Sequence, residues 1–281
     1  MVTKPAIWLV RGGRKINITT SIKEYILSEG ADLVGIAPVG RFEGAPVGHR
    51  PLDLLPTAKS VISFGMRLVD SVVDYQKYLL EAESRIPQRT RPGFLVANFY
   101  LELGHFVQDR ELNLLACKAA LELERQGFKS LPTPATQTGE ELRLSNYFGF
   151  FSQRHAAVRA GLGEFGYNNI VLNPEFGPRV RYGSVITEAE FDYDPVLSEK
   201  VCLRETCRKC LDACVGSAIT LKKDVDLEQV FIDTPAVTNP ELCIRRIDGG
   251  ATIGCTFYGA CMRVCPVHVN LRKYKKKANK A

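Results

Sequence analysis

Apolar residues along this chain fall into short runs separated by Gly- and Pro-rich breaks, the alternation expected of an α/β protein. A short strand is predicted at Ala6–Val10. Thr19 and Thr20 offer N-caps for a helix to about Ser28, with Ile22, Tyr25 and Ile26 on one face and Gly30 as its stop. ADLVGIAPV (Ala31–Val39) and SVISFGMRL (Ser60–Leu68) are apolar enough to be buried strands, and Arg41–Pro56 between them reads as loop. A helix is expected over Val72–Ser84. The longest helical pattern runs from Phe94 to Gln126, where Leu114, Cys117 and Leu121 repeat at i, i+3 and i+7. That phase predicts Cys117 on a core face, as a small buried apolar residue. Gly104–His105 marks a point where the helix can break, and His105 is read as structural. Gly127 is the expected stop, with a third strand starting at Lys129.

The chain then turns polar and aromatic (PTPATQTGEELRLSNYFGFF) before Ser152–Glu188. This second stretch carries a helix of small residues, the glycines of AGLGEFG, a polar turn, a strand, a Pro/Gly loop and a final strand. Glycines in such numbers allow a bulky ligand to approach the backbone, or they are ordinary turns; their spacing prefers neither. GLGEFG is not the G-x-G-x-x-G fingerprint, and there is no P-loop. Asp192–Lys200 is a predicted linker, and ITLKKDVDLEQVFIDTP a predicted hairpin.

The cysteines change the picture. Eight of the nine lie between Cys202 and Cys265. Cys202, Cys207, Cys210 and Cys214 form a C-x4-C-x2-C-x3-C run; Cys255, Cys261 and Cys265 form C-x5-C-x3-C-P, with Cys243 between. A two-cluster ferredoxin uses C-x2-C-x2-C-x3-C-P, the fourth Cys of each run ligating the other cluster. Crossing over in that way predicts one [4Fe–4S] set of Cys202, Cys207, Cys210 and Cys265. The second set is Cys214, Cys243, Cys255 and Cys261. Zinc is the serious alternative for soft thiolates, but its usual paired C-x2-C knuckles are missing. Disulfides are weaker, because no secretion signal precedes them.

Composition adds less. Hydrophobic residues make up 45% of the 281, enough for a sizeable core. The net charge of +6 sits in the end segment RKYKKKANKA; the rest holds 31 basic and 31 acidic residues, which argues against a broad phosphate-tracking groove. The basic end is expected to be a solvated tail. No run of about 18 apolar residues occurs, so no membrane span is expected, and a reducing cytoplasmic location fits the cysteines.

HAAVRAGLGEFGYNN and NPEFGPRVRYGSVIT, running into this cysteine block, resemble the cobalamin-dependent reductases, which include reductive dehalogenases and epoxyqueuosine reductases. HRPLDLLPTAKSVISFG (His49–Gly65) is similar to an earlier segment of the same proteins. The resemblance implies an α/β (α+β) fold with a nitroreductase-like core over residues 1–195. A C-terminal two-cluster ferredoxin-like domain follows over 196–271, then the tail 272–281. It implies two [4Fe–4S] clusters passing electrons to cobalamin, with FMN as a lesser alternative, and a reductase that cleaves a bond in a small organic substrate. A ferredoxin- or flavodoxin-type donor of low potential is the expected partner. The alternative is an electron-transfer or corrinoid-handling protein. The first cysteine run departs from the family pattern in having Val215 where Pro is usual, and both runs start with longer spacers. No twin-arginine leader is seen, and the chain ends 16 residues past Cys265, short of the helical-repeat extension of many epoxyqueuosine reductases. With a neutral body, this makes nucleic acid an unexpected partner.

The resemblance also names site candidates. Tyr147 occupies the position of the family's proton donor, and His155, immediately before the glycine stretch, competes for that role. Gly161, Gly163 and Asn168 are expected at the cofactor. Arg179 and Arg181, two apart on a strand and so on one face, face either an anionic group of cofactor or substrate, or take part in surface ion pairs.

Overall fold

The computed structural model describes residues 8–11, 14–75, 99–136, 149–214, 216–244 and 259–267. It opens on a hairpin, β1 (Trp8–Arg11) against β2 (Arg14–Asn17), the first strand overlapping the run predicted at Ala6–Val10, whose first two residues lie outside the described residues. Helix α1 (Ile18–Ser28) follows. Its N-cap is Asn17, whose side chain accepts from the Thr19 N–H at 2.7 Å, rather than Thr19 or Thr20.

Four strands make the main sheet, in the order β3 (Leu33–Pro38), β4 (Ser60–Arg67), β8 (Val180–Thr187), β5 (Ser130–Thr133). β3–β4 and β5–β8 are antiparallel. The bonds Lys59 N–H to Thr187 O and Leu68 N–H to Arg179 O show that β4–β8 is antiparallel too. The two inner strands are buried nearly throughout, which is why their sequences read as continuous apolar runs instead of alternating ones. Between β3 and β4 lies the short helix α2 (Pro51–Leu54).

Helix α3 (Gln108–Glu124) contributes Leu112, Leu115, Ala116, Ala119, Ala120 and Leu123 to the core, with Ile22 and Ile26 of α1 and Ile36, Ile62, Phe64 and Val185 of the sheet. Burying each such Ile, Leu or Phe stabilises the fold by about 1.5–3 kcal/mol. The buried stripe corrects the expected phase: Cys117 is exposed, as are Leu114 and Leu121. The turn before α3 is a π-helix, Glu102–Val107, and it holds Gly104 and His105 where a break was expected. The helix expected over Val72–Ser84 is described only as far as residue 75, and is helical from 70.

The chain divides into two compact units that interleave in sequence: Met1–Met66, Asp109–Leu162 and Arg181–Leu197 form one, and Arg67–Gln108, Gly163–Val180 and Ser198–Ala281 the other. The grouping differs from a single break near residue 195, and local hydrogen bonds explain it. β6 (Glu164–Phe165) and β7 (Val171–Leu172) form a small hairpin. Phe165 N–H bonds to Phe231 O at 2.9 Å, and Asn169 Nδ2 to Ala236 O at 2.9 Å. A hairpin is present in the cysteine region, β9 (Ile219–Leu221) against β10 (Ala236–Thr238), its second strand lying just past the predicted stretch. In the same unit Leu68, Val73, Tyr100 and Met262 make a second core.

The boundary between the units at Leu197 and Ser198 falls within the predicted linker, whose first residues are tied to the first unit. Asp194 accepts from Ile36 N–H at 2.7 Å and from Lys23 Nζ at 2.6 Å, and its own N–H bonds to Ile36 O.

Candidate functional site

Four thiols meet in the second unit. Cys202, Cys207, Cys210 and Cys265 line one cavity, with Tyr167, Asn168 and Leu172 of the β6–β7 hairpin and Leu203, Pro266 and Val267 of the cysteine loops. Cys207 follows a 3-10 turn (Arg204–Thr206), Cys210 lies in the one-turn helix α5 (Lys209–Asp212), and Cys265 follows α7 (Ala260–Arg263). Short helices between ligand positions fit spacers of only a few residues. Cys265 is some fifty residues beyond the run it joins, so the gathering is a product of the fold.

The thiols feel one another. Burial first, and then the neighbouring sulfurs of Cys202, Cys265 and Cys207, push the Cys210 thiol up to about 12. Cys265 is pushed up to about 11 by burial, against which the Val267 N–H and the Arg179 guanidinium act. Burial also raises Cys202, whose sulfur is favoured as thiolate by the N–H groups of Tyr167 and Arg204. Among the described residues no three His, Cys, Asp or Glu side chains converge as ligands of one metal ion; the four thiols surround a space.

Of the second predicted set, Cys214, Cys243 and Cys261 are half-buried in the same unit, and Cys255 lies outside the described residues. Cys243 sits in α6 (Pro240–Ile244). Ala218 N–H donates to Cys214 Sγ at 3.2 Å. Asn168 Nδ2 donates to Cys261 O at 3.4 Å, and its Oδ1 accepts from Ile170 N–H, so this predicted cofactor residue ties the hairpin to the cysteine region.

The other candidates have structural partners. Tyr147 lies outside the described residues. His155, in α4 (Gln153–Arg159), has Nδ1 at 2.7 Å from the N-cap Ser152 Oγ. Gln153 fixes α4 by donating to Thr133 Oγ1 and Pro134 O and accepting from Ser184 Oγ. Gly161 has φ +80, and a Cβ there would lie 2.2 Å from Pro195 O; at Gly163 a Cβ would lie 2.4 Å from Leu172 O. Both glycines therefore make room for the protein's own backbone.

Arg179 and Arg181 are held by carboxylates. Arg179, 3% exposed, is gripped by Asp74 and Asp70, which outweigh burial and raise its pKa. Arg181 Nε donates to Asp109 at 2.7 Å and Nη2 to Thr136 Oγ1 at 2.7 Å. Both arginines are in ion pairs, as the second alternative has it, but Arg179 is paired in the interior and not at the surface.

Sequence reasoning missed Glu164. It is fully buried and accepts from the N–H groups of Val201 (2.5 Å), Cys202 (2.7 Å) and Phe231 (3.0 Å), and from Arg204 Nη2 (2.9 Å). The only signal was an acid set inside the apolar, glycine-rich string AGLGEFG.

Comparison with known proteins bears on what this arrangement does. Over 132 residues, 46% of this chain, the sequence is 41% identical to a tetrachloroethene reductive dehalogenase of Desulfitobacterium hafniense. Over 275 residues, 92% of the chain, it is 27% identical to an epoxyqueuosine reductase of Bacillus subtilis (strain 168). The chain is thus similar in sequence both to a reductive dehalogenase and to an epoxyqueuosine reductase. No family model matches it. The matched regions span 19% of the dehalogenase and 60% of the epoxyqueuosine reductase.

Two solved structures are similar to it in fold. One is a reductive dehalogenase whose description concerns B12-dependent dehalogenation (TM-score 0.53, 18% identity, 94% of this chain and 34% of that one). The other is an epoxyqueuosine reductase with a modified tRNA stem loop (TM-score 0.51, 19% identity, 88% of this chain and 64% of that one). The second corrects the partner expectation. An epoxyqueuosine reductase similar in fold is seen with a tRNA stem loop, which conflicts with the expectation of a small-molecule substrate and no nucleic-acid partner. Among the described residues no helix is long and apolar enough to cross a membrane.

Proposed function

We propose that the chain is a cytoplasmic iron–sulfur reductase, with a nitroreductase-like core and a two-cluster ferredoxin-like portion that relays electrons to a corrinoid. The observation that carries the reading is the cavity lined by Cys202, Cys207, Cys210 and Cys265, three thiols from one loop and the fourth from a distant one. Four thiols lining one cavity fit the first ligand set that the cysteine spacing predicts for a cluster.

Cys202, Cys207, Cys210 and Cys265 would hold one [4Fe–4S] cluster, and Cys214, Cys243, Cys255 and Cys261 the other. When bound, such clusters pass single electrons and a corrinoid supplies a strongly reducing metal centre. The protein's own part is to present sulfurs and backbone donors. Ala218 N–H on Cys214 Sγ, and the N–H groups of Tyr167 and Arg204 toward Cys202, stabilise charge on sulfur. Leu172 and Leu203 line the first cavity with apolar surface.

Gly161, Gly163, Arg179 and Arg181 are committed to internal contacts and do not fit as direct holders of a corrinoid or FMN, so no step is assigned through either. The corrinoid is proposed from the relatives alone. Tyr147 and His155 remain the proposed proton donors. Reductive cleavage of a bond from carbon to halogen or oxygen is the chemistry common to the relatives' names.

Anaerobic reconstitution of the full chain with iron and sulfide, followed by metal, sulfide and corrinoid analysis, tests this. Two clusters and a retained corrinoid are expected. Stoichiometric zinc, or no iron bound, would overturn it.

A further inference from the structure

Glu164 and Arg204 form an ion pair inside the second unit, and both side chains are almost wholly withdrawn from solvent (0% and 4% exposed). Both carboxylate oxygens and both terminal guanidinium nitrogens of the pair are engaged. Oε1 of Glu164 accepts from the consecutive N–H groups of Val201 and Cys202; Oε2 accepts from Phe231 N–H and Arg204 Nη2. Arg204 reaches back to Leu227 O through Nη1, and its guanidinium lies 3.9 Å from the centre of the Phe231 ring. The backbone of Arg204 is held at φ +55, a strained conformation for a side chain of this size. Such strain persists where surrounding contacts over-determine it, and here they are the carboxylate, the carbonyl and the ring.

The consequence falls on Cys202. Its N–H is fixed by Glu164, and two residues later Arg204 anchors the same loop, so the Cys202 backbone is set from both sides. Cys202 also begins its run with a four-residue spacer before Cys207, and a spacer that long does not by itself hold the first thiol against the other three.

We propose that the Glu164–Arg204 pair is the positioning element of the first cysteine loop, pre-setting Cys202 so that its sulfur completes the four-thiol cavity. The inference rests on the reading of that cavity as a cluster site. Glu164 does not touch the cluster itself; it acts through the backbone of a ligand.

The test uses the full chain reconstituted anaerobically, as wild type, E164Q, E164Q/R204M and C202S. A glutamine supplies one acceptor oxygen where two are used, and leaves the Arg204 charge buried without a carboxylate. The double variant removes that charge and is expected to recover thermal stability relative to E164Q. It does not restore the acceptor for Val201 and Cys202, so its iron content should stay near that of C202S, with about half of the wild-type iron lost and the electron paramagnetic resonance signal of one cluster missing or altered. In the cluster-free protein, hydrogen exchange at the Val201 and Cys202 amides should be at least about tenfold faster in both Glu164 variants than in wild type.

A stable double variant with both cluster signals, and amides protected as in wild type, overturns the proposal. If wild type itself binds no iron, the cluster reading fails, and the amide exchange still decides whether Glu164 pins the loop.

Discussion

Asp74 grips Arg179 with both carboxylate oxygens, Oδ2 to Nη1 at 3.0 Å and Oδ1 to Nη2 at 2.8 Å. Asp70, one helical turn earlier and therefore on the same face, adds a bond to Nη1 at 2.9 Å and is itself paired with Arg67. A guanidinium this deeply buried needs such compensation, since a buried charge that loses its partners costs about 3–5 kcal/mol. D74N keeps Asp70 and should destabilise by about 1–3 kcal/mol. D70N/D74N should reach the larger figure in chemical denaturation. A double variant as stable as wild type would mean that Arg179 does not depend on these carboxylates.

The two predicted cysteine sets separate by mutation. C210S removes a thiol of the described cavity, and C243S one of the other set. Each is expected to lose about half of the iron bound by wild type, and the combined variant nearly all of it. Equal retention of iron in C243S and wild type would refute the crossed assignment, because Cys243 would then hold nothing.

The sheet was legible in the sequence, and the site only in part. β4 and β8 announced themselves because a strand buried on both faces must be apolar throughout. Helix α3 was legible as a helix but not in phase. Leu112 and Leu115 on one side and Leu114 and Leu121 on the other give two apolar stripes, and only the alanines at 116, 119 and 120 mark the side packed in the core. The thiol set was readable because cluster ligands are few and their spacing is constrained. Glu164 was not: its partner Arg204 lies 40 residues away, and nothing local to either residue announces the pair. The two arginines of FGPRVR showed their alternation but not their carboxylates, which come from distant helices.

Cys117 is the one cysteine outside the proposed cluster sets, and α3 leaves it exposed. A maleimide reagent should label the reconstituted native protein at Cys117 within minutes and at one site per chain, as read by peptide mass spectrometry. C117S should bind as much iron as wild type and melt within about 0.5 kcal/mol of it, as surface substitutions usually do. Slow labelling that appears only on denaturation would put Cys117 back in the core.

The thiol cavity makes the cluster-free protein sensitive to alkali. Cys210 and Cys265 titrate in the folded chain at about 12 and about 11, above the ordinary thiol value of 9.0. In the unfolded chain both lose their protons first, so the folded state holds more protons between these values. The stability that this protonation represents is complete below about pH 9 and is lost as pH rises toward 11–12, at a slope of at most about 1.4 kcal/mol per pH unit for each thiol. Thermal melts of cluster-free wild type should therefore fall steeply above pH 9, and C210S/C265S should fall less. With clusters bound, the sulfurs are already deprotonated and the thiol contribution to this slope should vanish. If cluster-free wild type and C210S/C265S show the same alkaline slope, burial and mutual repulsion of these thiols do not set the pH dependence.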